Sequence, residues 1–210
     1  MSTSGALTRW FRDQCAPDLV AAEEAGGDVA YAELARRAAD VPAGSDGLIV
    51  LPYFSGERTP IHDPEARGVF FGLTLAHTRA HLFRAILEGI GYGVRHHIDV
   101  MTEMDVRPEE IVAVGGGTQN ALWLQIVSDI AEVAQRVPAI TLGASYGDAF
   151  LAGLGVGMFD SYRDIERWMR DGRSVVPEPD HSDRYRAYME LYLALYRRTK
   201  TMMAAVGRLA

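Results

Sequence analysis

The run Glu110-Ile-Val-Ala-Val114 ends directly in three glycines, Gly115–Gly117, and a helical pattern starts near Asn120. A short apolar run bounded by glycine reads as a buried strand, and the periodicity beyond it reads as a helix. Strand, glycine turn and helix in that order belong to α/β layer folds, in which helices cover short buried strands. The rest of the chain repeats the theme. Leu48-Ile-Val-Leu51 is a second buried-strand run, closed by Pro52, and residues 69–73 and Arg136–Ile140 are further strand-like segments. Helical spacing is expected over Gly5–Cys15, Tyr31–Ala39, Thr78–Glu103, Asn120–Ala134, Asp148–Val156, Tyr162–Met169 and Ser182–Val206. Loose chain with Gly26 and Gly27 follows the first helix, and Thr141–Gly147 reads as a loop. The longest helix carries Gly89, Gly91 and Gly93. Each costs up to about 1 kcal/mol relative to alanine, so another element is expected to pack tightly across it.

Composition narrows the function classes. At roughly 150 residues per domain, the 210 residues make one domain or one and a half, with a core that needs no staples. Cys15 is the only cysteine, which excludes an intrachain disulfide framework and a four-thiolate zinc site. A net charge of −7 argues against a general nucleic-acid partner, which needs a basic face. No stretch of apolar residues is long enough to span a membrane, and MSTSGALTRWFRDQ has no signal-peptide core. A soluble, cytoplasmic protein with no membrane partner is therefore expected. Of 21 basic residues only Lys200 is a lysine. A Schiff base or a lysine-tipped phosphate loop has that one candidate, with no glycine-rich loop before it. Any phosphate contact must instead use arginine, backbone N–H groups or helix ends.

Four features could carry chemistry. Gly115-Gly116-Gly117 lets backbone lie flat against a ligand, and the helix that follows offers unpaired N–H groups and a positive dipole end. A tight turn with positive φ would use the same residues. Gly143-Ala-Ser145-Tyr-Gly147 has the spacing of a hydrolase nucleophile elbow, with Asp164 or Asp180 and His181 as its only supply of triad partners. His77 and His81 lie four apart but lack the glutamate of H-E-x-x-H, so capping or surface roles are expected and no metal site stands out. Glu57-Arg58, in the loop Ser55–Pro60 after a buried strand, could border the same crevice as the glycine turn or pair to fix the loop. No neighbouring carboxylate marks Glu57 as a general base.

Taken in order, these residues resemble the carboxyl-terminal domain of the FGGY carbohydrate kinases, over about Gly5 to Trp168. Gly68-Val-Phe-Phe-Gly72-Leu73, seven residues and then His81-Leu-Phe-Arg84-Ala-Ile-Leu-Glu88 resembles the second family signature. LPYFSGERTP and the ARG-x-x-x-GL after it resemble the xylulokinase branch. GGGTQNALWLQIVSDI resembles the adenosine motif, and GASYGDAFLAGLGVG the helix-forming segment beyond it. The resemblance implies a ribonuclease-H-like, actin-like ATPase domain: a mixed sheet flanked by helices, with the first strands of that sheet expected to be missing. It implies one ATP-side domain over residues 1–210, with 170–210 as a carboxyl-terminal helical extension, and an amino-terminal sugar-binding domain absent. The implied reaction is ATP-dependent phosphorylation of a ketose or polyol hydroxyl, xylulose-like in the first instance. The resemblance also implies ATP as cofactor, with Mg2+ held mainly through phosphates and the absent half. By position, Gly5, Arg9, Gly115, Gly116, Gly117 and Asn120 would hold the nucleotide; Arg9 stands where glycerol kinases have glutamine, and Asp148 where alanine is commoner. The resemblance implies that no catalytic residue lies in this chain, the family's aspartate base being expected in a D-x-x-x-x-x-x-G segment upstream. The chain alone is expected to be inactive, with sugar reached through the other half. Tyr185–Leu195 or an exposed sheet edge could support a homodimer. A non-catalytic nucleotide-binding remnant or module, and a serine hydrolase on the GASYG elbow, are the alternative readings.

Overall fold

The computed structural model describes residues 3–167 and 172–209 as helices packed on two small sheets. Helices α1 (Ser4–Cys15), α2 (Pro17–Glu24) and α3 (Ala30–Ala39) come first, followed by strands β1 (Ile49–Leu51) and β2 (Val69–Phe71). The long helix α4 (Arg79–Glu103) leads to β3 (Glu110–Val112), the 3-10 turn Gly116–Gln119, α5 (Ala121–Ala131) and β4 (Ala134–Pro138). Helix α6 (Ala144–Gly155), the 3-10 segment Tyr162–Arg167, strand β5 (Gly172–Val175) and helix α7 (Ser182–Gly207) follow. β1 and β2 pair antiparallel, with Val50 opposite Phe70. The second sheet has the order β3-β4-β5 and is mixed: β3 and β4 run parallel, β4 and β5 antiparallel. The expected mixed α/β architecture is present.

The core gathers around α4 and β1. All three residues of β1 are buried, as its unbroken apolar run predicts, and Leu7, Phe11, Leu34, Phe83 and Tyr192 join them from four helices. The α4 glycines are where the backbones close in. A Cβ added at Gly89 would lie 2.5 Å from the Val50 carbonyl oxygen, and one at Gly91 would lie 2.7 Å from Cδ1 of Ile130 on α5. The first obstacle is rigid backbone and the second a side-chain tip. Gly89→Ala is therefore expected to destabilise the chain by about 2 kcal/mol, overriding the helix-propensity gain of about 1 kcal/mol. Gly91→Ala should cost less, because Ile130 can change rotamer. Urea denaturation of the two variants checks the order; equal midpoints would contradict it.

Inside α4, the ionisable side chains of Glu88 and Arg84 are 1% and 6% exposed and pair with each other. Glu88 Oε1 accepts from the Gly44 N–H and from Arg84 Nε, each at 2.9 Å, and Oε2 accepts from Ser45 Oγ at 2.7 Å. The Tyr185 hydroxyl donates to Glu88 at 3.2 Å, and Arg84 also donates to Tyr185 Oη and to the Ala38 carbonyl. Burial pushes the Glu88 carboxyl up, with Arg84 and the surrounding donors pulling the other way. This network ties α3, α4 and α7 together.

Several sequence expectations move. The loose stretch after Cys15 contains α2, started by Pro17 in the first turn, where its fixed φ suits a helix; only Leu19 is buried, so no periodicity announces it. Glu132 takes a left-handed conformation (φ 55°) that ends α5 at Ala131, so β4 starts at Ala134 rather than Arg136. Gly143, at φ +69°, turns the chain into α6 four residues before the expected start at Asp148. Glu110–Val114 is not a buried strand: Val112 is 38% and Val114 50% exposed, because β3 pairs only with β4 among the described residues. The helix expected over Tyr162–Met169 is a 3-10 segment as far as Arg167, and its remainder lies outside the described residues. Within the span expected as a helical extension, residues 172–175 are instead β5, paired with β4, while Ser182–Gly207 is helical.

Candidate functional site

A cleft of about 1150 Å³ opens between the amino-terminal helices and the β3–α5 junction. β3 delivers the chain to Gly115, which has φ +88°, a conformation natural to glycine. The Gly115 N–H donates to the Thr141 carbonyl at 2.7 Å, joining the turn to the loop before α6. Thr118 closes the turn from inside: its N–H and its hydroxyl both donate to the Gly115 carbonyl, at 3.2 and 2.7 Å. Asn120 caps α5, its Oδ1 accepting from the Trp123 N–H at 3.0 Å. A Cβ at Gly116 would meet nothing within 4 Å, whereas one at Gly117 would lie 2.8 Å from the Trp123 ring. Gly116 therefore presents bare backbone to open space, and Gly117 makes room for an aromatic wall.

Gly5 and Arg9 of α1 line this cleft together with Gly116, Gly117 and Asn120. Gly115 does not line it; it aims the turn. Arg9 is exposed and, among the described residues, makes no hydrogen bond or ion pair, so its guanidinium is available at the rim. Arg36, also on the rim, is shared with Glu33, whose carboxyl is pulled down to about 2 by its hydrogen bonds from Arg36 and Arg37. The cleft interior is apolar, with Phe83, Ile90 and Val94 of α4 facing Ile111 and Trp123. Tyr31 and Trp123 are wall residues that helical periodicity alone assigns to packing. Such a site combines backbone donors, the Arg9 cation and flat apolar surfaces, which suits a ligand with an aromatic ring and an anionic group.

The other candidates resolve as structure. Ser145 sits exposed in the first turn of α6 with ordinary φ, its Oγ donating to the Leu142 carbonyl at 3.3 Å; the positive φ falls on Gly143. That is a plain helix start rather than a strained elbow. His77 and His81 use Nδ1 to accept the N–H groups of Thr74 and Thr78, at 2.9 and 3.2 Å, and His81 completes the capping box of α4. No group of three His, Cys, Asp or Glu suited to a metal ion occurs among the described residues. Glu57 is 3% exposed and accepts the Arg58 main-chain N–H at 2.9 Å. The Ser55–Pro60 loop does not reach the cleft. No helix among the described residues is long and apolar enough to cross a membrane.

Residues 1–156 match the C-terminal domain of the FGGY family of carbohydrate kinases. The chain is 31% identical to xylulose kinase of Bacillus subtilis over 198 residues, 94% of this chain and 38% of that protein. It is 33% identical to gluconokinase of the same organism, covering 94% of this chain and 39% of the relative. The crystal structure of xylulose kinase from Rhodospirillum rubrum superposes with a TM-score of 0.79 at 34% identity, over 95% of this chain and 38% of that one. The chain thus spans less than two-fifths of the length of these relatives.

Proposed function

We propose that this chain, which belongs to the FGGY family of carbohydrate kinases, supplies the adenosine-side wall of an ATP-dependent sugar kinase. The observation that carries the reading is the meeting of α1 and the glycine turn across one cleft: Gly5 and Arg9 on one side, Gly116, Gly117 and Asn120 on the other. The bare Gly116 backbone and the Trp123 ring suit a purine and its ribose, and Arg9 suits a phosphate. The Asn120 side-chain amide keeps both Nδ2 hydrogens for a ligand, since only its Oδ1 is used in the cap. Gly115 holds the turn in place.

The reaction we infer is transfer of the γ-phosphoryl group of Mg-ATP to a hydroxyl of a ketose or polyol, xylulose or gluconate being the substrates named for relatives. Mg-ATP supplies the phosphoryl group. This chain orients the nucleoside and neutralises phosphate charge with Arg9. The base that takes the hydroxyl proton, most sugar contacts and the ligands of Mg2+ belong to a second wall, because phosphoryl transfer depends on positioning and charge stabilisation from both sides. A cytoplasmic location and an amino-terminal sugar-binding half are parts of the same proposal. A homodimer through the exposed β3 edge is a further part; the Tyr185–Leu195 stripe of α7, the other expected surface, instead packs Tyr185, Tyr192 and Leu195 into this chain's own core.

Titration of the 15N-labelled chain with ADP tests the site directly. Chemical-shift changes are expected to cluster on Gly5, Arg9 and Gly115–Asn120, at weak affinity. Changes confined to other surfaces, or none at saturating ADP, would overturn the assignment.

A further inference from the structure

We propose that Arg173 is a positioning residue for the glycine turn, through a strap of residues 172–178 that ties the turn to the carboxyl-terminal part of the fold. Arg173 Nη2 donates to the Thr118 carbonyl at 3.1 Å, reaching across from β5 to the 3-10 turn. A turn with three consecutive glycines has unusual conformational freedom, so its shape must be fixed by bonds from outside the glycines. Thr118, 6% exposed, supplies the internal closure on Gly115; the Thr141 carbonyl holds the start of the turn, and Arg173 is a second external anchor, at Thr118. The bond is charge-assisted, which makes it stronger than a neutral one.

The strap is itself fastened to α5. Ser128 Oγ donates to the Val175 carbonyl at 2.9 Å, Gln125 Nε2 to the Val176 carbonyl at 2.9 Å, and the Glu178 N–H to Asp129 Oδ1 at 2.8 Å. Ser128 and Asp129 are 0% and 3% exposed, so the α5 ends of the bonds to Val175 and Glu178 lie in the interior, while the Gln125 bond is at the surface. Four residues beyond Glu178, α7 begins, and its Tyr185 and Tyr192 are in the core. The guanidinium is thereby held on a fixed base. Residues 172–178 lie past the span matched by the kinase family, 1–156, so that match says nothing of Arg173. A turn fixed before binding loses less freedom when a ligand settles on it, so the anchor should raise affinity for whatever the turn holds. That last step rests on the nucleotide reading above; the anchoring does not.

Hydrogen exchange by mass spectrometry on the intact chain, with Arg173→Ala and Arg173→Lys, separates the possibilities. In Arg173→Ala the amides of residues 116–120 should exchange about tenfold faster while those of β4 and α5 keep their wild-type rates. Arg173→Lys, which retains one charged donor, should restore most of the protection. With ADP as the probe, the alanine variant should need about tenfold more nucleotide for the same protection of the turn. Unchanged turn exchange in Arg173→Ala would overturn the proposal. So would acceleration spread evenly over β4, β5 and α5, which marks simple sheet support, or failure of the lysine variant to rescue. If ADP leaves the wild-type turn unprotected while the exchange contrast persists, the nucleotide reading fails and the strap stands.

Discussion

Glu88→Gln is expected to cost about 3–5 kcal/mol of folding stability, although it changes a single oxygen to nitrogen. The carboxylate receives donors from Gly44, Ser45, Arg84 and Tyr185 within 3.2 Å, and neither it nor Arg84 touches water appreciably. An amide can accept at only one end, so one of these donors meets an NH2 group, and the buried Arg84 cation loses its counter-charge. For a chain of this length each kcal/mol moves the thermal midpoint by about 2–4 °C, so a fall of roughly 6–20 °C is expected. Removing both charges, with Arg84→Met and Glu88→Leu together, should recover part of that loss, because the uncompensated charge is gone. It should not recover all of it, because the Gly44 N–H and Ser45 hydroxyl remain without their acceptor. Calorimetric unfolding of the single and double variants checks both statements. A Glu88→Gln midpoint within 2 °C of wild type would show that the pair is not a structural keystone.

The parts of this fold legible in the sequence were those with local causes. β1 reads from four consecutive apolar residues, and α4 from its apolar stripe with Thr78 as cap. The α4 glycines foretell close approach, and Val50 and Ile130 are what approaches. What stayed hidden depends on distant partners. β5 reads Gly-Arg-Ser-Val, mostly exposed, and becomes a strand only because β4 offers an edge from 34 or more residues away. The Arg84–Glu88 spacing looks like an ordinary surface pair at one helical turn; Gly44, Ser45 and Tyr185 bury it. The run Ile111–Val114 looks buried because it is apolar, yet it opens on the cleft. In the site, Gly5, Arg9, Gly116, Gly117 and Asn120 could be placed from motif resemblance, while Tyr31, Trp123 and Arg173 enter only through geometry. Arg173 lies 55 positions from the carbonyl it holds, and no local pattern signals such a bond.

The second large effect concerns turnover. Gly116 faces open space, so Gly116→Arg should fold normally while its side chain fills the proposed nucleotide seat. It also separates binding from stability in a way Gly117 cannot, since a side chain there would push on Trp123. One wall of a phosphoryl-transfer cleft cannot position the acceptor hydroxyl or take its proton, and positioning of that kind contributes about 7–11 kcal/mol to such reactions. The isolated chain is thus expected to show no sugar-dependent ATP consumption. The decisive measurement is ATP consumption with xylulose or gluconate by this chain alone, by this chain with an amino-terminal FGGY half supplied in trans, and by the same mixture carrying Gly116→Arg. Turnover is expected only in the wild-type mixture. Turnover by the 210-residue chain alone, or a Gly116→Arg mixture as active as wild type, would contradict it.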